Sequence, residues 1–145
     1  MPSAADAGTA FALRIERSLA GLEQVGGWVD TVAASLGLDG AADYALRLCV
    51  EEAAANVVMH GTTGADGDAD FVALRVEPAQ DALRVTVEDR CGAFDPLQVP
   101  RPKPPASLGE ANVGGLGIHL MRQYARAMDY ARVDGTNRLT LTIGR

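Results

Sequence analysis

Basic residues, aromatic residues and cysteines are all scarce in this chain. Thirteen Lys and Arg stand against nineteen Asp and Glu, a formal charge of −6 over 145 residues. Nucleic acid is bound through basic patches, so this balance argues against nucleic acid as a direct partner. It leaves partner proteins and metal-neutralised nucleotides open. Cys49 and Cys91 are the two cysteines. Two are too few for a disulfide framework and read as reduced thiols in a cytoplasmic protein. No segment approaches the ~18 uncharged apolar residues of a membrane span. Residues 1–8 lack the basic start and apolar run of a signal peptide. What the chain does have is 48% hydrophobic and 22% charged residues, the balance of one soluble globular domain with a real core. We read residues 1–8 as a loose N-terminus and 9–145 as that domain.

The stretch from Val50 to Gly61, VEEAAANVVMHG, organises the rest. Its alanines and straight-chain residues favour a helix, and Gly61 supplies a stop. Glu52, Asn56 and His60 recur at four-residue intervals and lie close together on such a helix. Leu46, Cys49, Val50, Ala53 and Val57 form an adjacent apolar stripe that faces a core. A carboxylate, a carboxamide and an imidazole on one side can hold a hydrated hard cation and orient water; the competing reading is a helix with a wet face. Glu51 is the rival carboxylate, but Glu52 alone has the four-residue spacing to Asn56. His60 fits equally a site role and a helix end, where its ring meets carbonyls and the dipole.

Elsewhere the pattern predicts a strand over Phe11–Ile15. A helix capped by Ser18 follows to about Leu36, where Gly37 closes it. Gly26-Gly27 inside it predicts a bend or a close approach. The organising helix begins at Asp43. Asp66, Asp68 and Asp70 lack the glycine and the final Glu of a calcium loop and read as solvated. Strands over Phe71–Glu77 and Ala82–Asp89 form an antiparallel hairpin, with Leu83, Val85 and Val87 inward. The prolines of Pro100–Pro105 exclude helix and sheet interior, so residues 97–112 read as an extended segment of the kind that serves as a lid. A glycine-rich turn, VGGLG, leads into a helix over Ile118–Ala127. Two strands, Asp129–Val133 and Arg138–Ile143, close the chain around an Asp134–Asn137 turn. No Walker A or dinucleotide fingerprint is present.

Three segments stand in fixed order: E-x-x-x-N-x-x-x-H-G, D-R-C-G-A-F-D-P and G-G-L-G-I. Together they resemble the GHKL ATPase superfamily of gyrases, histidine kinases and heat-shock chaperones. Within it they are most similar to the anti-sigma-factor serine/threonine kinases, and the likeness runs from first strand to last. The resemblance implies a Bergerat-type α/β two-layer sandwich, with a mixed, mostly antiparallel sheet of about five strands and three helices on one face. It implies ATP and Mg²⁺ as cofactors, Glu52 as general base and Asn56 as Mg²⁺ ligand. It gives Asp89 the adenine amino group, and Gly92, Gly114, Gly115, Leu116 and Gly117 the rest of the nucleotide. The partners it implies are a serine-bearing antagonist protein and a sigma factor, with a homodimer among the assemblies it allows. Two other functions fit the same residues: a partner-switching module with nucleotide as structural ligand, and a histidine-kinase-like ATPase domain acting in trans. The family usually has glycine two residues after the Asp. Here that position is Cys91, which favours the module.

Overall fold

The computed structural model describes residues 9–62, 70–100 and 116–145. Strand β1 (Phe11–Glu16) leads into helices α1 (Leu19–Leu36) and α2 (Gly40–His60). The hairpin β2 (Phe71–Pro78) and β3 (Ala82–Asp89) follows, then a 3₁₀ turn at Pro96–Gln98. Helix α3 (Leu116–Tyr124), β4 (Ala127–Val133) and β5 (Thr136–Gly144) complete the chain. The five strands form one sheet in the order β1-β2-β3-β5-β4. Every adjacent pair is antiparallel, so the sheet is not mixed.

Alternation decides which face of the sheet is buried. Val72, Leu74 and Val76 of β2, Leu83, Val85 and Val87 of β3, and Leu139, Leu141 and Ile143 of β5 point inward. They meet Val25, Val29 and Val32 of α1, Leu46, Cys49, Val50 and Ala53 of α2, and Ile118 and Met121 of α3. The other face carries Arg75, Arg84, Glu88 and Arg138 among threonines. This is a two-layer sandwich with its helices on one side.

Local chemistry explains most boundaries. The Ser18 hydroxyl accepts from the Gly21 amide at 3.0 Å, and Gly37 takes the left-handed conformation (φ 65°) that ends α1. Asp134 and Gly135 both have positive φ (52° and 79°), and Val133 pairs with Thr136. That is a two-residue hairpin turn, shorter than the four residues expected, and it returns Asn137 to the strand. α2 begins at Gly40, three residues before Asp43. α3 stops at Tyr124 and not Ala127, because the Arg126 amide turns to the Thr142 carbonyl (2.7 Å) and β5 recruits the residues that follow. Their helix propensity is good, but sheet pairing overrides it. Residues 96–98 are wound and not extended, with Asp95 capping the Leu97 amide at 2.9 Å. Residues 101–112 of the expected lid, the N-terminal eight residues and Asp66 and Asp68 lie outside the described residues.

The glycine that permits a close approach is Gly21, not the Gly26-Gly27 pair. A Cβ at Gly21 would overlap the Glu16 carbonyl oxygen, whereas one at Gly26 would meet only the Glu51 carboxylate at 3.6 Å and one at Gly27 nothing. Gly21→Ala should therefore destabilise by about 2–3 kcal/mol through overpacking. Gly27→Ala, on the exposed side of the same helix, should stabilise by about 0.5–1 kcal/mol. Urea denaturation of the two variants should show midpoints moving in opposite directions.

Candidate functional site

The second half of α2, the ends of β3 and β5, and residues 91–96 enclose a cleft of about 140 Å³. Ligand clefts that enclose a drug-sized molecule run to ~300–1,000 Å³, so this one is small by comparison. Val57, Val87 and Leu139 give it apolar walls, while Asn56, Asp89 and Asn137 bring polar groups to it.

Asp89 is 7% exposed, in phase with the inward residues of β3. The register sets it directly opposite Asn137, which is 5% exposed. Its Oδ1 accepts from the Cys91 amide (2.9 Å) and from Asn137 Nδ2 (3.0 Å). Asn137 Nδ2 also reaches the Gly92 carbonyl at 2.9 Å and the Cys91 carbonyl at 3.3 Å. The orientation of that amide follows from its other end, where Tyr130 Oη and Arg132 Nη1 (2.8 Å) both donate to Asn137 Oδ1. Arg132 Nη1 also donates to the Cys91 carbonyl at 3.1 Å. A buried carboxylate is thereby held by donors on strand and loop, as burial of a charge demands.

Glu52 lies elsewhere. It is half-buried under the start of α3, where a Cβ on Gly117 would stand 2.5 Å from its Oε2. A side chain at position 117 would have to displace that carboxylate. Glu51 is exposed and faces Gly26 of α1. Asn56 and His60 line the cleft, one and two turns beyond Glu52. Gly92 lines it too, and its amide donates to the Thr62 carbonyl at 3.1 Å. Leu116 opens α3, and Gly114 and Gly115 lie outside the described residues.

Among the described residues no group of three His, Cys, Asp or Glu side chains is placed to hold a metal. The Asn56 carboxamide oxygen at the cleft nonetheless suits Mg²⁺, which keeps several waters and takes one or two protein oxygens beside substrate phosphates. No described helix is long and apolar enough to cross a membrane.

Compared with known proteins, residues 15–143 match the histidine kinase-like ATPase domain. The chain belongs to that family. The serine/threonine-protein kinase BtrW of Bordetella bronchiseptica is 35% identical over 115 residues, 79% of this chain and 80% of BtrW. The serine-protein kinase RsbW of Bacillus pumilus is 31% identical over 102 residues, 68% of this chain and 61% of RsbW. Among solved structures, the RsbU and RsbW domains of a Mycobacterium tuberculosis protein superpose with a TM-score of 0.61 at 15% identity. That match covers 94% of this chain and 32% of the other. The histidine kinase domain of a blue-light activated kinase from Erythrobacter litoralis gives 0.51 at 18% identity, over 83% of this chain and 60% of its own. At these identities the structural likeness concerns the fold.

Sequence reasoning missed Asn137, Tyr130 and Arg132. For Asn137 a signal exists: it is the polar residue in the inward phase of Leu139, Leu141 and Ile143. Nothing in the sequence joins Tyr130 or Arg132 to it.

Both thiols are buried and resist ionisation. Cys49 is pushed up to about 11 by burial, with the Glu52 charge adding. Cys91 also rises to about 11, first through burial and then through the charge of Asp89, to which its thiol donates. Both folded values lie above the ordinary 9.0. Their contribution to stability is therefore fully present below about pH 9 and is lost as pH rises through about 11. The urea midpoint should fall across that window, and the double variant Cys49→Ala/Cys91→Ala should flatten the fall. An equally steep fall in the double variant would assign it to other groups.

Proposed function

We propose that this chain is a cytoplasmic serine/threonine protein kinase that binds Mg-ATP. It phosphorylates a small antagonist protein on serine and sequesters a sigma factor. The kinase names of BtrW and RsbW support the reaction class, and the resemblance described above supplies the partners. The observation that carries the reading is the division of α2: Asn56 sits in the cleft with Asp89, while Glu52, one turn back, lies outside it against α3.

In this reading adenine enters the cleft and donates its amino group to Asp89, an acceptor when ionised, which suits adenine and disfavours the guanine carbonyl. The triphosphate then runs out of the small cleft toward α3 and Glu52. Asn56 would hold Mg²⁺, which neutralises charge on the phosphates. Glu52 accepts the proton of the antagonist's serine hydroxyl as that oxygen bonds to the γ-phosphorus and the bond to ADP breaks. Phosphoryl transfer asks the protein mainly for such positioning.

A second reading, a partner-switching module with nucleotide as structural ligand, is favoured by one observation. Cys91 lines the cleft at the position where the resemblance implies glycine.

Labelled-phosphate transfer to the antagonist separates the two readings. Glu52→Ala should lower transfer by about 10²–10⁴ with ATP binding nearly intact, and Glu51→Ala should do much less. If both variants match the parent, Glu52 is not the base; a parent that binds ATP and transfers nothing to its partner is the module. By calorimetry, Asp89→Asn should weaken ATP by about 1.5–3 kcal/mol, the worth of a charge-assisted hydrogen bond. Unchanged affinity would remove Asp89 from base recognition.

A further inference from the structure

Helix α3 touches the candidate site at two points. Near its start Gly117 lies against Glu52. Further along, Arg122 reaches across to the turn that follows the cleft. One guanidinium nitrogen, Nη2, approaches the carbonyl oxygens of Val99 (2.7 Å), Leu97 (3.1 Å) and Pro96 (3.4 Å). That nitrogen carries two hydrogens, so the three acceptors share them, with Val99 the closest. The Val99 amide closes the turn on the Pro96 carbonyl at 3.2 Å, but Pro100 has no N–H to continue it to the Leu97 carbonyl, and the guanidinium supplies that donor.

Pro96 belongs to both structures. It lines the cleft, and its carbonyl is among those that face Arg122. α3 itself does not depend on this contact, because Ile118 and Met121 anchor it in the core at 2% and 0% exposure. Loss of the guanidinium would therefore loosen the wall of the cleft, which keeps its contacts with β4, and leave the helix, with Gly117 on Glu52, in place.

The geometry points to Arg122 as a positioning residue for nucleotide binding: it fastens the Pro96 wall of the cleft to α3 and so sets affinity for the base without touching the ligand. This rests on the nucleotide reading above and adds a residue that reading does not contain.

The test is calorimetric titration of the parent, Arg122→Ala, Arg122→Met and Arg122→Lys with Mg-ATP and with Mg-ADP, alongside urea midpoints. The Ala and Met variants should raise the Kd about ten-fold, the loss of one charge-assisted hydrogen bond's worth of order in the wall. The factor should be the same for ATP and ADP, with the number of sites per chain unchanged. Lys should recover most of the affinity, because an ammonium has three hydrogens to offer the same carbonyls. A purely structural role would give a different pattern: fewer competent sites and a lower urea midpoint, with the Kd of the remaining sites unchanged, and rescue by Met as good as by Lys. That pattern, or equal Kd values throughout, overturns the proposal. An effect confined to ATP places Arg122 at the γ-phosphate and overturns it too. A parent that binds neither nucleotide overturns the nucleotide reading and this inference with it, whereas a parent that binds both while the variants behave like it overturns this inference alone.

Discussion

A carboxylate is buried in this protein, and much of the local architecture follows from the need to satisfy it. Moving an ionised group out of water costs several kcal/mol unless donors replace the lost hydration. Asp89 and Asn137 are the buried polar side chains among the described residues, and the β3–β5 register makes them direct neighbours. The consequences spread outward from that pair. Asn137 spends its amide hydrogens on Asp89 and on the carbonyls of residues 91 and 92, which pins the chain leaving β3. β4 contributes Tyr130 and Arg132 to the amide oxygen. Three strands and one loop thus converge on a single carboxylate, and the cleft is the space beside it.

How much of this can be read from sequence depends on how local the signal is. α1 is legible from end to end because Ser18, its apolar spacing and Gly37 act within a few residues. The second hairpin is legible because Leu83, Val85 and Val87 alternate. The end of α3 is not, since Arg126 and Ala127 are good helix formers and are lost to the helix only through pairing with β5. Asn137 falls between these cases. Its inward phase is visible in the sequence, but Asp134-Gly135 followed by Thr136-Asn137 also reads as a four-residue turn. Positive φ at two residues shows where the turn ends. The contact of Glu52 with Gly117 is a tertiary fact, which neither motif predicts alone.

α2 separates two environments with one turn of helix. Its apolar stripe, Leu46 through Ala53, is locked into the core at nearly zero exposure, and that fixes the rotation of the whole rod. Once the rotation is fixed, adjacent glutamates cannot be equivalent, because successive residues differ by about 100°. Glu51 is turned toward α1 and solvent, and Glu52 toward α3. Asn56 then follows Glu52 by about a turn and arrives at the cleft. Packing on one side of the helix therefore chooses which side chains are offered on the other.

The cysteine at position 91 places a side chain in a crowded spot, two residues beyond the buried carboxylate. Its sulfur finds room because Gly61 has no side chain: a Cβ there would lie 2.7 Å from Cys91 Sγ and 2.5 Å from the Val57 carbonyl oxygen. Gly92 is likewise pressed against Thr62, where a Cβ would collide with the hydroxyl. The loop after β3 and the end of α2 are thus fitted to each other, glycine against thiol and glycine against hydroxyl. The thiol is also given a polar task, since it donates to Asp89 and joins the Cys91 and Asn137 N–H donors. The volume of the Cys91 side chain is accommodated by the missing side chain at Gly61, and its polar hydrogen by the carboxylate on which the site is built. Cys91 is thereby absorbed into the wall of the cleft, and the strand register beneath it is undisturbed.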